Sequence, residues 1–171
     1  MRAIPLTVTA LAAALLLTAC DDGTSGGKGK SGSACEIGKV SVQIGTASVA
    51  PAAGDTGEVP VSITNQSAPC TLDGFAGVEL KAGGTSAKVP ALQGAKAQKL
   101  KLAKGDFASF TISYVRGKAG DATSLEARSV KITLPGSGTA MSFPWSYGPV
   151  AGKGGAGTPN ASVSAFQQAG D

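Results

Sequence analysis

Three kinds of side chain in this 171-residue chain have the reactivity to do chemistry: three cysteines, a run of lysines and a scatter of carboxylates. Histidine is absent, so no Ser-His-Asp or Cys-His nucleophile and no His-ligated metal site can be assembled. Leu17-Thr18-Ala19-Cys20 has the aliphatic-small-small-Cys order of a bacterial lipobox. The order has a chemical reason: the thiol takes a diacylglycerol, and small residues before it fit the signal peptidase. Arg2 precedes an uncharged stretch from Leu6 to Leu17, which is short of the roughly 20 residues a membrane span needs. An ordinary secretory signal with a chance cysteine is the plainer alternative. Position, length and the four-residue match together make cleavage after Ala19 and lipidation of Cys20 the expectation. Two or more acyl chains hold a protein stably on a bilayer, where one does not.

Cys35 and Cys70 remain. An even remainder in an exported, oxidising setting is expected to close as a disulfide. A free thiol nucleophile and a metal pair are the alternatives, and the absence of histidine and the 35-residue separation weigh against both. In the chain-entropy model such a bridge contributes about 3.5–4 kcal/mol.

Between Glu79 and Asp106 the chain carries Lys81, Lys88, Lys96, Lys99, Lys101 and Lys104 and no acid. Lys99 and Lys101 alternate with Leu100 and Leu102, so both point to one face of a strand. The plainer reading is a lysine-guarded edge strand that resists aggregation. The functional reading is a contact surface of Lys88, Lys96, Lys99, Lys101 and Lys104 for anionic lipid or an anionic wall polymer. Asp73, Glu79, Asp106, Asp121 and Glu126 fall at turns and strand ends and read as solvated charges before they read as an acid–base pair. Short fragments that resemble catalytic or calcium motifs, Lys30-Ser31-Gly32 and Asp21-Asp22-Gly23, lack the partners those motifs need. The net charge of +4 comes without a basic stripe interleaved with aromatics, so nucleic acid is not an expected partner. No metal and no cofactor is expected.

The elements that must position these residues are strands. Residues 1–19 read as the signal peptide, 20–34 as a lipidated cysteine and flexible Gly/Ser tether, 35–167 as the folded domain and 168–171 as a short tail. Within the domain, Val40-Val42-Ile44, Val59-Val61-Ile63, Phe110-Ile112-Tyr114, Val130-Ile132-Leu134 and Met141-Phe143-Trp145-Tyr147 all recur at every second position. That is the period of a half-buried strand. Pro60 lacks an N–H and implies an edge strand or a strand beginning. Val89 and Leu92 read as the return of a hairpin through Gly83-Gly84, and Ala122 to Arg128 as one helical turn. A weak last strand is placed around Ser162 to Gln167. Short strands divided by Gly, Pro and Asp turns, with no long helical period, imply an all-β fold. The expected form is an immunoglobulin-like antiparallel β-sandwich of about seven to eight strands.

At Asn65 to Val78 the sequence reads NQSAPCTLDGFAGV. Asn65, Ser67, Cys70-Thr71-Leu72, Gly74-Phe75 and Gly77-Val78 resemble the signature of domain-of-unknown-function family 4232. The resemblance implies an actinobacterial exported lipoprotein and a domain over residues 35–147, or to 167 if a last strand closes the sheet. Ala76 stands where that family often has proline, and a second cysteine pair common in its members is missing. Taken with the lipobox, the expectation is a membrane-anchored lipoprotein on the extracytoplasmic face of the cell membrane. Its sandwich would be a non-enzymatic binding or structural module of the envelope, meeting an envelope protein or wall polymer. An accessory subunit of an envelope complex is the second reading, and an envelope hydrolase the third.

Overall fold

The computed structural model describes residues 33–168; Cys20, the signal segment and most of the tether lie outside them. Two strands make the backbone of the fold, and both obey the alternation read above. β3 (Thr56–Asn65) and β8 (Phe107–Val115) turn Val59, Val61, Ile63, Ala108, Phe110, Ile112 and Tyr114 inward, and pair antiparallel from Thr56↔Val115 to Thr64↔Phe107. β2 (Val40–Ile44) lies on the far side of β3, and β13 (Ala161–Val163) on the far side of β8. β14 (Gln167–Gln168) pairs with Ala108 and Ser109 near the start of β8. Between β13 and β14, Phe166 is buried edge-on against Phe110, ring centroids 5.5 Å apart.

The opposite layer has two sheets. One is β1 (Ser33–Ala34), β4 (Cys70–Gly74) and β7 (Gln98–Leu102), with β4 in the middle. The other is β11 (Ala140–Pro144), β10 (Ser129–Thr133), β5 (Gly77–Ala82) and β6 (Thr85–Val89), in that order. Only Phe75 and Ala76 separate β4 from β5. A two-strand ladder, β9 (Ser124–Leu125) with β12 (Val150–Ala151), completes the set. Among the described residues every strand-to-strand pairing is antiparallel except that of β1 with β4. Leu72, Leu80, Leu102, Val130 and Ile132 from this layer share one core with Val61, Ile63, Phe110 and Ile112 from the other. Each such side chain contributes about 1.5–3 kcal/mol relative to exposure, and the result is an all-β, sandwich-like fold.

Several local expectations are corrected. Pro60 sits in a central strand rather than at an edge or a strand beginning. Its carbonyl accepts from the Gly45 N–H (2.9 Å), and the next bonds on that side join Ser48 and Glu58. The missing N–H therefore faces the point where β2 has already stopped. On the β8 side Thr111 turns its amide and carbonyl away, to Ser164, so Pro60 removes no bond there either. Ala122 to Arg128 contains no helical turn, because Ser124 and Leu125 are buried in the β9–β12 ladder. Val89 ends β6, but Leu92 lies outside it in the 90–97 loop, half-exposed. Ser33 and Ala34, read as tether, pair with Cys70 and Thr71, because the bridge at Cys35 and the Cys35 N–H to Thr71 C=O bond (3.0 Å) hold that stretch against β4. In the signature segment Gly74 has φ +122°, which L side chains resist, whereas Gly77 is ordinary strand and faces Thr133.

Candidate contact surface

Three turns converge at one end of the sandwich: 36–39 before β2, 66–69 between β3 and β4, and 103–106 between β7 and β8. Asn65 ties them. Its side chain is 1% exposed. Its Nδ2 donates to the carbonyls of Ala68 (3.0 Å), Leu102 (3.0 Å) and Ala103 (3.2 Å), and its Oδ1 accepts from the Ser67 N–H (3.0 Å). The Asn65 backbone adds bonds to Asp106 and Gly105, and Gln66 donates to Lys39. An amide supplies two donors and an acceptor in one plane, which no aliphatic side chain would replace here. The Cys35–Cys70 disulfide lies beside this knot, with both cysteines buried.

β1 runs parallel to β4, and β4 starts from the 66–69 turn. Ser33, the first of the described residues, therefore lies at the end of the sandwich where the three turns meet.

The lysines divide. Lys99 and Lys101 sit on β7 opposite Asp73 and Thr71. The Lys99 ammonium pairs with the Asp73 carboxylate at 3.3 Å, both side chains well exposed. Lys104 follows in the exposed 103–106 turn, beside the knotted end. Lys88 is on β6 opposite Glu79, and Glu79 in turn is opposite Lys131 on β10. A hydrogen bond from Ser86, ahead of partial burial acting the other way and of the charges of Lys81, Lys131 and Lys88, holds the Glu79 carboxyl below its ordinary value. Lys96 stands apart in the 90–97 loop. So the five lysines do not form one patch. Three line the β7 edge and its turn, one joins Lys81 and Lys131 around Glu79, and one is alone.

Both β6 and β7 are outermost in their sheets, so Lys88, Lys99 and Lys101 occupy the positions at which lysine blocks edge-to-edge pairing. Of these, Lys99 is paired with Asp73 and Lys88 lies opposite Glu79, whereas Lys101 lies opposite Thr71. Lys131 was missed from the sequence. It alternates with buried Val130 and Ile132, which signals an outward side chain, but its neighbours come from strands about 50 residues earlier in the chain. Phe107, 47% exposed next to the 103–106 turn, was missed as well.

The carboxylates are spent on turns. Asp106 accepts from the Ala103 N–H (2.9 Å), Asp121 from the Thr123 N–H and hydroxyl, and Glu126 from the Gly120 N–H (2.8 Å). Among the described residues no group of three or more Cys, Asp and Glu side chains is placed to hold a metal ion. A groove of about 470 Å³ runs between the 90–93 segment and the edge formed by β8 and residues 160–162. The titratable side chains in its lining are Lys153 and the buried Tyr114.

At the other end, Tyr114, Trp145 and Tyr147 stack edge to face, with centroids 5.2 and 4.9 Å apart. The Tyr114 hydroxyl donates to the Tyr147 carbonyl (2.9 Å), and the Trp145 indole N–H to the Gly148 carbonyl (2.8 Å). Gly57 leaves room for this ring: a Cβ there would lie 2.5 Å from Tyr114. Arg116 donates to the Ala50 carbonyl (2.6 Å), anchoring the loop before β3.

Residues 35–167 match the model of a family described as Domain of unknown function (DUF4232). No curated protein matches the chain, and no solved structure does.

Proposed function

The chain belongs to the DUF4232 family, and from that premise we propose that it is a lipid-anchored, extracytoplasmic protein displaying a non-enzymatic β-sandwich as a contact module of the cell envelope. The observation that carries the reading is the Cys35–Cys70 bridge, because such bonds form and persist in oxidising, exported settings and not in a reducing cytosol. It lies immediately after a segment of Gly, Ser and Lys that follows the Leu17 to Cys20 lipobox. The exposed lysines on β6 and β7 support a partner of negative charge, either a wall polymer or an acidic envelope protein.

The test begins with Cys20→Ala. The variant should leave the membrane fraction or accumulate unprocessed, while the wild type stays with the membrane and carries a lipid-modified Cys20 by intact mass. A variant that fractionates and matures like the wild type removes the anchor from the reading. In-cell crosslinking with mass spectrometry then names the neighbour. A recurrent single protein partner would favour an accessory subunit of a complex, and crosslinks to wall material would favour the polymer.

A further inference from the structure

We infer that the knotted end of the sandwich rests on the anionic headgroup layer of the membrane that holds the lipid, with the exposed Phe107 ring and the Lys101 and Lys104 ammonium groups as its contacts. The inference rests on the anchored reading above and adds an orientation and an occupant to it. Three observations carry it. First, β1 puts Ser33 at that end, and only 12 residues separate Cys20 from Ser33. A Gly/Ser-rich segment of that length reaches about 20 Å, so this end and not the aromatic end is held close to the bilayer. Second, the end is cationic where it is exposed. Lys101 and Lys104 have no carboxylate partner within ion-pair distance among the described residues, whereas Lys39 is paired with Glu36 (2.8 Å) and Lys99 with Asp73. The remaining acid there, Asp106, is half-buried and holds the Ala103 N–H.

Third, Phe107 stands exposed directly after this turn. An exposed ring at the end of the turn that carries Lys104 suits the boundary between headgroup and acyl chain. Each lysine at an anionic surface raises partitioning about fivefold. That is too little to hold a free protein, and enough for one whose anchor already supplies a millimolar-range effective concentration.

The experiment uses the full chain as purified from membranes, reconstituted into phosphatidylcholine vesicles with or without phosphatidylglycerol, all containing lipids brominated in the acyl chain. Phe107→Trp and Val49→Trp are compared over the native Trp145, which is buried. Val49 is equally exposed, at 47%, but lies at the opposite end. The expected result is a blue-shifted, bromine-quenched emission from Phe107→Trp in anionic vesicles. The quenching should be lost in pure phosphatidylcholine and lost again when Lys101→Gln and Lys104→Gln are added. Val49→Trp should stay unquenched throughout. A lipidated chain in which both tryptophans behave alike overturns the docking and leaves the anchor standing. An unquenched Phe107→Trp chain that instead co-sediments with purified wall polymer overturns it in favour of the polymer. A chain whose mass shows an unmodified Cys20 overturns both the anchor and the docking.

Discussion

The two ends of the sandwich solve one problem, fastening loops from distant parts of the chain, by different chemistry. At the end where β1 starts, Asn65 gathers three turns through backbone carbonyls, and a disulfide closes residues 35 to 70 beside it. At the other, Tyr114, Trp145 and Tyr147 interlock as rings, and Arg116 clamps the Ala50 carbonyl. The polar knot needs almost no apolar side chain, so the residues around it are free to be cations and an exposed phenyl ring. The aromatic corner draws its large side chains inward. One end is therefore available for a charged partner, and the other is committed to packing.

The comparison can be broken by unequal damage. Trp145→Ala should cost the most, about 3–5 kcal/mol by the usual toll of deleting a large buried aromatic. It also removes both ring contacts and the indole bond to Gly148. Denaturant unfolding measures it, and a loss below 1 kcal/mol would mean that the corner is ornamental. Asn65→Ala should cost less, about 1–3 kcal/mol, because it leaves carbonyls short of a donor while the disulfide still holds the neighbouring strands. The same unfolding assay, repeated under reduction, should then show a larger loss than in the oxidised protein. Equal losses would show that bridge and knot act independently.

The smallest effect is alkaline. Burial, and then the proximity of Tyr114, raise the Tyr147 phenol above its ordinary value. A group with a raised folded value contributes stability that is complete below its unfolded value and lost as pH rises through the folded one. The aromatic end should thus loosen first on the alkaline side, seen as phenolate absorbance rising together with loss of tryptophan dichroism. The knotted end should hold its amide protection over the same range. Simultaneous loss at both ends would mean that the sandwich melts as one unit and that Tyr147 has no local effect.

Legibility followed the range of the interactions. The alternation of Val59, Val61 and Ile63, or of Phe110, Ile112 and Tyr114, exposes which face each strand buries, since neighbouring side chains in a strand point to opposite sides. Asn65 was readable as part of a turn but not as its fastener, because two of its acceptors, Leu102 and Ala103, are 37 and 38 residues away. Pro60 misled for a related reason. The rule that proline avoids central strands concerns a missing N–H, and which side that N–H would have faced depends on where β2 ends.

By itself the sequence determined the longer strands, their inward and outward sets, the pairing of Cys35 with Cys70 and the family, all of which follow from period, count and short-range motif. Tertiary structure alone decided that Lys131 and Lys88 share Glu79 as a neighbour while Lys96 stands alone. It also decided that β1 runs beside β4 in parallel, which puts Ser33 at the end where the three turns meet. A strand's two faces are set by its own residues, but register and direction between strands are set by the core they close and the turns that join them. No local pattern along the chain records either.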